Sequence, residues 1–287
     1  MEENVALARY TTIGTGGPAR WFAKPESVDE LLELLQQHEG DVETIGLGSN
    51  LLVADEGVDA LVLKLSGELT AVSVEDDVLT AGGGATNAVC VHRARDAGLG
   101  GFEFASAIPG TTGGGVRMNA GAYGTEFEDV LLDAVVVSAA GVRTLTVPEL
   151  DLSYRHSGLR PGEVVAQARF RLEPSSTDAV KAKASELLAQ RKATQPTNKR
   201  TFGSVFKNPS AELGAGRAIE SCGLKGHRIG GALISPRHAN FIENEGGGTS
   251  ADCIALMAEA RRRVHTEYGV ELEHEVQFLG PLELPAL

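Results

Sequence analysis

The stretch from Gly98 to Gly124 constrains this chain more than any other, because nine of its 27 residues are glycine (98, 100, 101, 110, 113, 114, 115, 121 and 124). Glycine costs backbone entropy and brings no side chain to a core, so such a run persists where the backbone turns sharply or approaches another group closely. It is too long for a plain connector, and loops of that length usually bind something. The bias extends to the whole chain: 35 of 287 residues are glycine, about 12% against a typical ~7%. Otherwise the composition is that of an ordinary globular protein, 42% hydrophobic and 23% charged, which disfavours disorder, collagen-like repeats and a fibrous coiled coil. The length suggests two or three domains.

A net charge of −13 excludes bulk attraction to nucleic acid or anionic lipid, so an anionic ligand needs a local basic pocket. Met1-Glu2-Glu3-Asn4 carries acid where a signal peptide carries base, and no run approaches the ~20 apolar residues of a membrane span. A cytoplasmic location is therefore expected. Cys90, Cys222 and Cys253 are odd in number, far apart and without a CxxC spacing. They are expected to be buried small apolar residues. No His, Asp or Glu spacing suggests a metal.

Apolar spacing predicts a helix from Ser27 to about Gly40, capped by Ser27 with Glu30 reaching back. Strands are expected at Val42 to Leu47, Leu61 to Leu65, Val72 to Val74 and Val78 to Ala81. Thr86 caps a helix that turns Val89, Cys90 and Ala94 inward. Further strands fall at Leu132 to Ser138, Val142 to Val147 and Val164 to Leu172. In the last, Val165, Gln167, Arg169 and Arg171 form a wet face. Thr177 caps a helix to about Ala193, stopped by Gln195-Pro196. Helices follow near Gly216 to Cys222 and from Ser250 to about Tyr268, the second with Ile254, Met257, Ala258 and Val264 inward. The Gly246 to Gly248 run has no assigned role and reads as a mobile loop.

A strand running into Gly46-Leu47-Gly48-Ser49-Asn50 invites a dinucleotide reading, since glycines let backbone N–H groups approach a pyrophosphate unobstructed. The Rossmann form fails because the third glycine would fall at Leu51. A second loop, Ile108-Pro109-Gly110-Thr111-Thr112-Gly113-Gly114-Gly115 with Asn119-Ala120-Gly121-Ala122-Tyr123-Gly124, offers many more open donors. Two such loops suit a diphosphate-containing cofactor.

These loops and the opening Thr12-Ile13-Gly14-Thr15-Gly16-Gly17-Pro18-Ala19 resemble the flavin-binding region of the UDP-N-acetylenolpyruvoylglucosamine reductase family. The resemblance continues, in order, through Ser153-Tyr154-Arg155-His156-Ser157, Gln195-Pro196, Thr201-Phe202-Gly203-Ser204-Val205-Phe206-Lys207-Asn208-Pro209 and Gly223-Leu224-Lys225-Gly226. It ends with Ile229-Gly230-Gly231-Ala232, His238-Ala239-Asn240-Phe241-Ile242 and Leu272-Glu273-His274-Glu275-Val276. Departures are local: Ala107 where glycine is usual, Gly115 where alanine is common, and the three glycines after Glu243-Asn244. The short span from Arg155 to Ser204 suggests the shorter, second subgroup.

The resemblance implies an α+β chain with a vanillyl-alcohol-oxidase-like (PCMH-type) FAD-binding fold of two subdomains, 1–65 and 66–195, and a C-terminal α+β substrate-binding domain, 196–287. It implies non-covalent FAD held by Gly46, Gly48, Ser49, Asn50, Pro109, Gly110, Thr111, Gly113, Gly114, Asn119 and Gly121. NADPH is the implied hydride donor, and without a fingerprint of its own it would take turns with substrate at one flavin face. The implied reaction reduces the enolpyruvyl ether of a UDP-linked amino sugar. Arg155 would face the substrate carboxylate, Ser204 would donate a proton, and Glu275 would stabilise the enol-like intermediate. Lys207, Asn208, Lys225 and His238 are the implied uridine diphosphate ligands, with Arg217 and Arg237 as unmatched alternatives. No nucleic acid or membrane partner is expected, and a monomer suffices. Two rivals are an FAD-dependent oxidase of another small substrate on the same fold and a non-catalytic nucleotide-binding protein.

Overall fold

The computed structural model of the protein describes residues 1–210 and 212–287. The chain packs as two compact units, each built from segments distant in sequence. One comprises residues 1–2, 21–47 and 60–191, the other 3–20, 48–59 and 192–287.

At the centre of the first unit is a five-stranded antiparallel sheet, ordered Gly141–Thr146, Leu131–Ser138, Val164–Arg171, Val78–Gly82, Val72–Glu75. Its apolar residues divide between two cores. Helix α1 (Val28–Gln37) packs Leu31 and Leu35 with Leu61, Leu63, Val137, Val164 and Ala166. A second cluster gathers Val165, Ala168 and Phe170 with Phe102, Phe104 and Phe127. The register of Leu131–Ser138 against Val164–Arg171 jumps between Val135↔Gln167 and Val136↔Val165, leaving Ala166 as a bulge. A bulge reverses the two-residue alternation, so Val165 is buried rather than on the wet face expected of it. Arg169 and Arg171 do face water.

The helix signals hold with instructive exceptions. Ser27 caps α1 by accepting from Glu30 N–H at 3.2 Å, and Glu30 reaches back to Glu26 N–H at 2.8 Å. Helix α2 (Asn87–Asp96) is capped by Thr86, but its buried stripe is Cys90, Val91 and Ala94, and Val89 is exposed. Inside the glycine run lies helix α3 (Thr112–Arg117), which propensity opposes because glycine is ~1 kcal/mol worse than alanine in a helix. The strand expected at Val42 to Leu47 is limited to Val42–Thr44. After the single turn α4 (Val147–Leu150) comes α5 (Thr177–Thr194). Here Ser176, not Thr177, accepts from Ala179 N–H, while Thr177 Oγ1 donates to Arg95 O.

In the second unit, helices α6 (Ala215–Ser221) and α7 (Ser250–Tyr268) share one core with an antiparallel sheet of Arg228–Ile229, Ala232–Ile234 and Ile242–Asn244. A parallel pair, Leu51–Val53 with Gln277–Leu279, joins it. Helix α7 buries Cys253, Leu256, Met257, Ala260 and Val264, whereas Ile254 and Ala258 are only half-buried. The Gly246 to Gly248 run is a bonded turn and not a loose loop. Asn244 Oδ1 accepts from Gly246 N–H at 2.9 Å and Gly248 N–H at 3.1 Å, which delivers Thr249 to its capping position on α7. Cys90 and Cys253 are buried and Cys222 half-buried. Burial, with Asp252 and Asp55 nearby, leaves the Cys253 thiol pushed up to about 12.

The rings of Phe102, Phe104, Phe127 and Phe170 meet at 4.9 to 5.9 Å, mostly edge to face. Phe127 also closes against α3, where a Cβ at Gly115 would lie 2.3 Å from its ring. Phe127→Ala is expected to lower unfolding free energy by about 3–5 kcal/mol, read as a fall in the urea midpoint at unchanged slope. A loss below ~1 kcal/mol would show that this cluster does not organise the first unit.

Candidate active site

In the first unit the two glycine loops meet. A Cβ on Gly46 would lie 2.6 Å from Thr111 Oγ1, and Lys64 Nζ donates to Gly46 O at 2.6 Å. The backbone N–H groups of Gly46 and Leu47, and those of Gly110, Thr111 and Gly114, donate to no acceptor among the described residues. Clustered unpaired N–H groups form a cradle for phosphate oxygens. Sequence reasoning missed Lys64 and also Asn87. The latter is buried, donates from Nδ2 to Ile108 O at 3.0 Å and so fixes the approach to the exposed Pro109. Its Oδ1 has no partner among the described residues.

The glycines fall into two groups. Gly46, Gly48 and Gly113 are required by the protein itself: added Cβ atoms would lie 2.6, 2.0 and 3.0 Å from Thr111 Oγ1, Tyr10 O and Gly83 O. Gly48 also has φ +66°. At Gly110 and Gly114 the nearest atoms would be 3.5 and 3.7 Å away, ordinary contact distances. Packing therefore does not explain these two glycines.

Asn119 is fully buried with φ +38°, and its amide is spent inside the protein. Nδ2 donates to Glu126 Oε2 (3.0 Å) and Ser153 O (3.2 Å), and Oδ1 accepts from Glu128 N–H (3.0 Å). Arg155, with φ +56°, donates from Nη1 to Glu126 Oε1 at 3.0 Å and from Nη2 to Gly121 O at 2.9 Å. Its guanidinium lies 4.8 Å from the Tyr154 ring centroid.

In the second unit, Ser204 follows Gly203, whose φ is +83°. Asn240 holds the next two residues like a neighbouring strand: Val205 N–H donates to Asn240 O, Phe206 N–H to Asn240 Oδ1, and Asn240 Nδ2 to Phe206 O at 2.8 Å. On the other side Glu275 N–H donates to Val205 O at 2.8 Å, bringing Glu275 alongside the serine segment. Asn50 Nδ2 donates to Glu275 O at 3.2 Å, so this side chain supports Glu275. The Ser204 hydroxyl has no hydrogen-bond partner among the described residues.

The basic candidates have carboxylate partners. Lys207 pairs with Glu273 at 2.6 Å and Lys225 with Glu220 at 2.7 Å. Asn208 Oδ1 accepts from Ala215 N–H at the start of α6. His238 Nδ1 accepts from Asn240 N–H at 3.2 Å, which puts the proton of the neutral ring on Nε2. Burial, then Lys225, lowers the pKa of this imidazole. Arg237 donates to Lys192 O and Ala193 O, capping the end of α5.

Residues 19–146 match the family model of an FAD binding domain, and with the open cradle in the first unit this defines a flavoprotein. Residues 195–279 match the UDP-N-acetylenolpyruvoylglucosamine reductase C-terminal domain. The chain is 42% identical over 281 residues to UDP-N-acetylenolpyruvoylglucosamine reductase of Sphingopyxis alaskensis, covering 96% of this chain and 94% of that one. The Limosilactobacillus reuteri protein of that name is 41% identical over 285 residues, 98% of this chain and 95% of its own. The crystal structure of the Thermus caldophilus enzyme (MurB) superposes with a TM-score of 0.86 at 36% identity, covering 97% of this chain and 98% of that one. The protein belongs to the UDP-N-acetylenolpyruvoylglucosamine reductase family, and its fold class is the α+β FAD-binding class that the motifs imply.

Gly114→Ala is expected to keep the fold at or slightly above its present stability and to weaken FAD binding about tenfold, or ~1.4 kcal/mol, in a flavin fluorescence titration. Unchanged affinity would show that Gly114 does not border the cofactor. The lowered His238 pKa has a second consequence. The unfolded chain binds this proton below about pH 6.5 while the folded chain does not, so the contribution is complete above 6.5 and declines as pH falls toward the folded value. His238→Gln should flatten that slope in denaturation curves between pH 5 and 7, and an unaltered slope would refute the assignment.

Proposed function

We propose that this protein is the NADPH-dependent flavoenzyme that converts UDP-N-acetyl-3-O-(1-carboxyvinyl)glucosamine to UDP-N-acetylmuramate in the cytoplasm, for peptidoglycan precursor synthesis. The observation that carries the reading is the pairing, in a chain of this family, of an open N–H cradle with an unpartnered Ser204 hydroxyl beside Glu275. The oxidase alternative has no comparable support, since the curated relatives named above are reductases.

Bound FAD would supply the hydride relay from NADPH to the vinyl carbon. The backbone N–H groups of Gly46, Gly110, Thr111 and Gly114 receive its diphosphate in this reading, with Pro109, Gly113, Asn119 and Gly121 shaping the loop. Lys64 holds the Gly46 carbonyl away from that charge. Gly48, Ser49 and Asn50 are further FAD contacts in this reading, and Asn50 Nδ2 donates to Glu275 O.

Addition across the double bond needs a hydride at the terminal carbon and a proton at the carbon bearing the ether oxygen. Negative charge spreads from that second carbon into the carboxylate, where Arg155 stabilises the transition state more than the ground state. Ser204 gives up the proton. A serine hydroxyl is a weak acid, so the acceptor carbon must be strongly basic at that moment, and the absence of a competing acceptor leaves the proton free to transfer. Glu275 faces the same developing charge as an acid. Lys207 and Lys225 exchange their exposed carboxylate partners for the substrate diphosphate, Asn208 and His238 contribute neutral polar contacts, and the enzyme works as a monomer. The flavin side of this division corresponds to residues 1–65 and 66–195 and the sugar-nucleotide side to 196–287.

Purified protein should show the visible flavin bands and oxidise NADPH faster when the enolpyruvyl UDP-sugar is added. A colourless protein that gains no colour with FAD would end the proposal. In stopped flow, Ser204→Ala is expected to slow reoxidation of reduced flavin by substrate at least a hundredfold, about 2.7 kcal/mol, and to leave reduction by NADPH nearly intact. Equal losses in both half-reactions would remove the proton-donor role.

A further inference from the structure

Glu126 carries a set of contacts that no part of the proposed reaction yet uses. Its carboxylate serves three donors: Oε1 accepts from Arg155 Nη1 and Oε2 from Asn119 Nδ2, each at 3.0 Å, and the side chain also accepts from Asp129 N–H. Its own N–H donates to Asp129 Oδ2 at 2.8 Å in a capping box, which fixes the start of the short turn Phe127–Asp129. The next residue, Phe127, is fully buried in the aromatic cluster. A carboxylate on such a backbone has little freedom, so the groups bonded to it inherit its position.

Two further observations tie this anchor to the glycine loop. Both donors are non-glycine residues in the left-handed region, Asn119 at φ +38° and Arg155 at φ +56°. Such conformations persist only where the surroundings enforce them, and Glu126 is a shared partner of both. Gly121, part of the loop, would place a Cβ 2.6 Å from Glu126 Cγ. Its glycine is therefore required by the stem of Glu126, and its carbonyl is freed to accept from Arg155 Nη2 at 2.9 Å. Glu126 and Gly121 together hold the guanidinium from two sides, one by charge and one by a carbonyl dipole.

We propose that Glu126 is a positioning residue that sets the orientation of Arg155 for a ligand carboxylate. This rests on the reading of Arg155 given above. A guanidinium recognises a carboxylate by a planar fork, so its value depends on its angle as well as its charge. Without Glu126 the charge of Arg155 remains and its orientation is lost. Only ligands that present a carboxylate should register the change.

The test compares two ligands and two half-reactions in the holoenzyme. Dissociation constants are measured by calorimetry for the enolpyruvyl UDP-sugar and for UDP-N-acetylglucosamine, which lacks the carboxylate, and flavin reduction and reoxidation are followed by stopped flow. Glu126→Ala is expected to weaken the carboxylate ligand and slow reoxidation by it, each about tenfold, with UDP-N-acetylglucosamine affinity and reduction by NADPH within about twofold of the parent. Glu126→Gln keeps the shape and one acceptor oxygen and should recover to within about threefold of the parent. It carries the test alone if Glu126→Ala fails to fold. Equal weakening of both ligands, or no change for either, would overturn the positioning role. A parent enzyme whose reduced flavin is not reoxidised by the enolpyruvyl UDP-sugar would overturn the underlying reading instead, and the positioning role with it.

Discussion

The first unit depends on one place where backbone packs on backbone with no side chain between. Gly83 N–H donates to Ala166 O at 2.7 Å, and Gly113 N–H donates to Gly83 O at 2.8 Å. A Cβ on Gly83 would lie 1.9 Å from Val165 O. The bulge at Ala166 turns these carbonyls toward the glycines, a local use of an extra residue that regular pairing would not allow. Helix α3 is seated on the sheet by this contact and by Thr112 N–H donating to Ala85 O. Its two flanks are the Pro109 to Thr111 loop and the Asn119 to Gly121 loop. A side chain at Gly83 or Gly113 would lift the helix and move both.

That seating accounts for what could and could not be read from the sequence. The capped helices α1 and α7 and the strands of the central sheet follow from local chemistry: a side-chain oxygen three residues before a free N–H, or apolar residues at a fixed period. Helix α3 does not, because three consecutive glycines speak against a helix and only contacts with residues 83, 85 and 127 make one. The bulge is equally silent, since Ala166 is an unremarkable strand residue. The composite second unit was hidden too, because Ile13 and Leu52 join a core whose other members lie beyond residue 200.

The site shows the same division. Arg155, Ser204 and Glu275 are proposed from the order of motifs. Their supports were not legible there: Asn240 beside Phe206, Asn50 beneath Glu275, Lys64 on Gly46 and Glu126 on Arg155 are common residue types, and all four act across 18 to 225 residues of sequence. Glycine content pointed to cofactor contact throughout, yet much of it serves internal packing. Only the distance a Cβ would have from its neighbours separates the two causes.

In a chain of net −13, Arg155, Lys207 and Lys225 each pair with a carboxylate, and what matters is how firmly each pair is held. Glu273 and Glu220 are 70% and 55% exposed, and ion pairs of that kind contribute under about 1 kcal/mol. Lys207 and Lys225 can therefore leave them for another anion at little cost. Glu126 and Arg155 are only 25% and 16% exposed and share further hydrogen bonds, so this pair is screened less and resists separation. The exposed pairs suit side chains that must change partners when a ligand arrives, whereas the sheltered one suits a cation that must meet its ligand without moving.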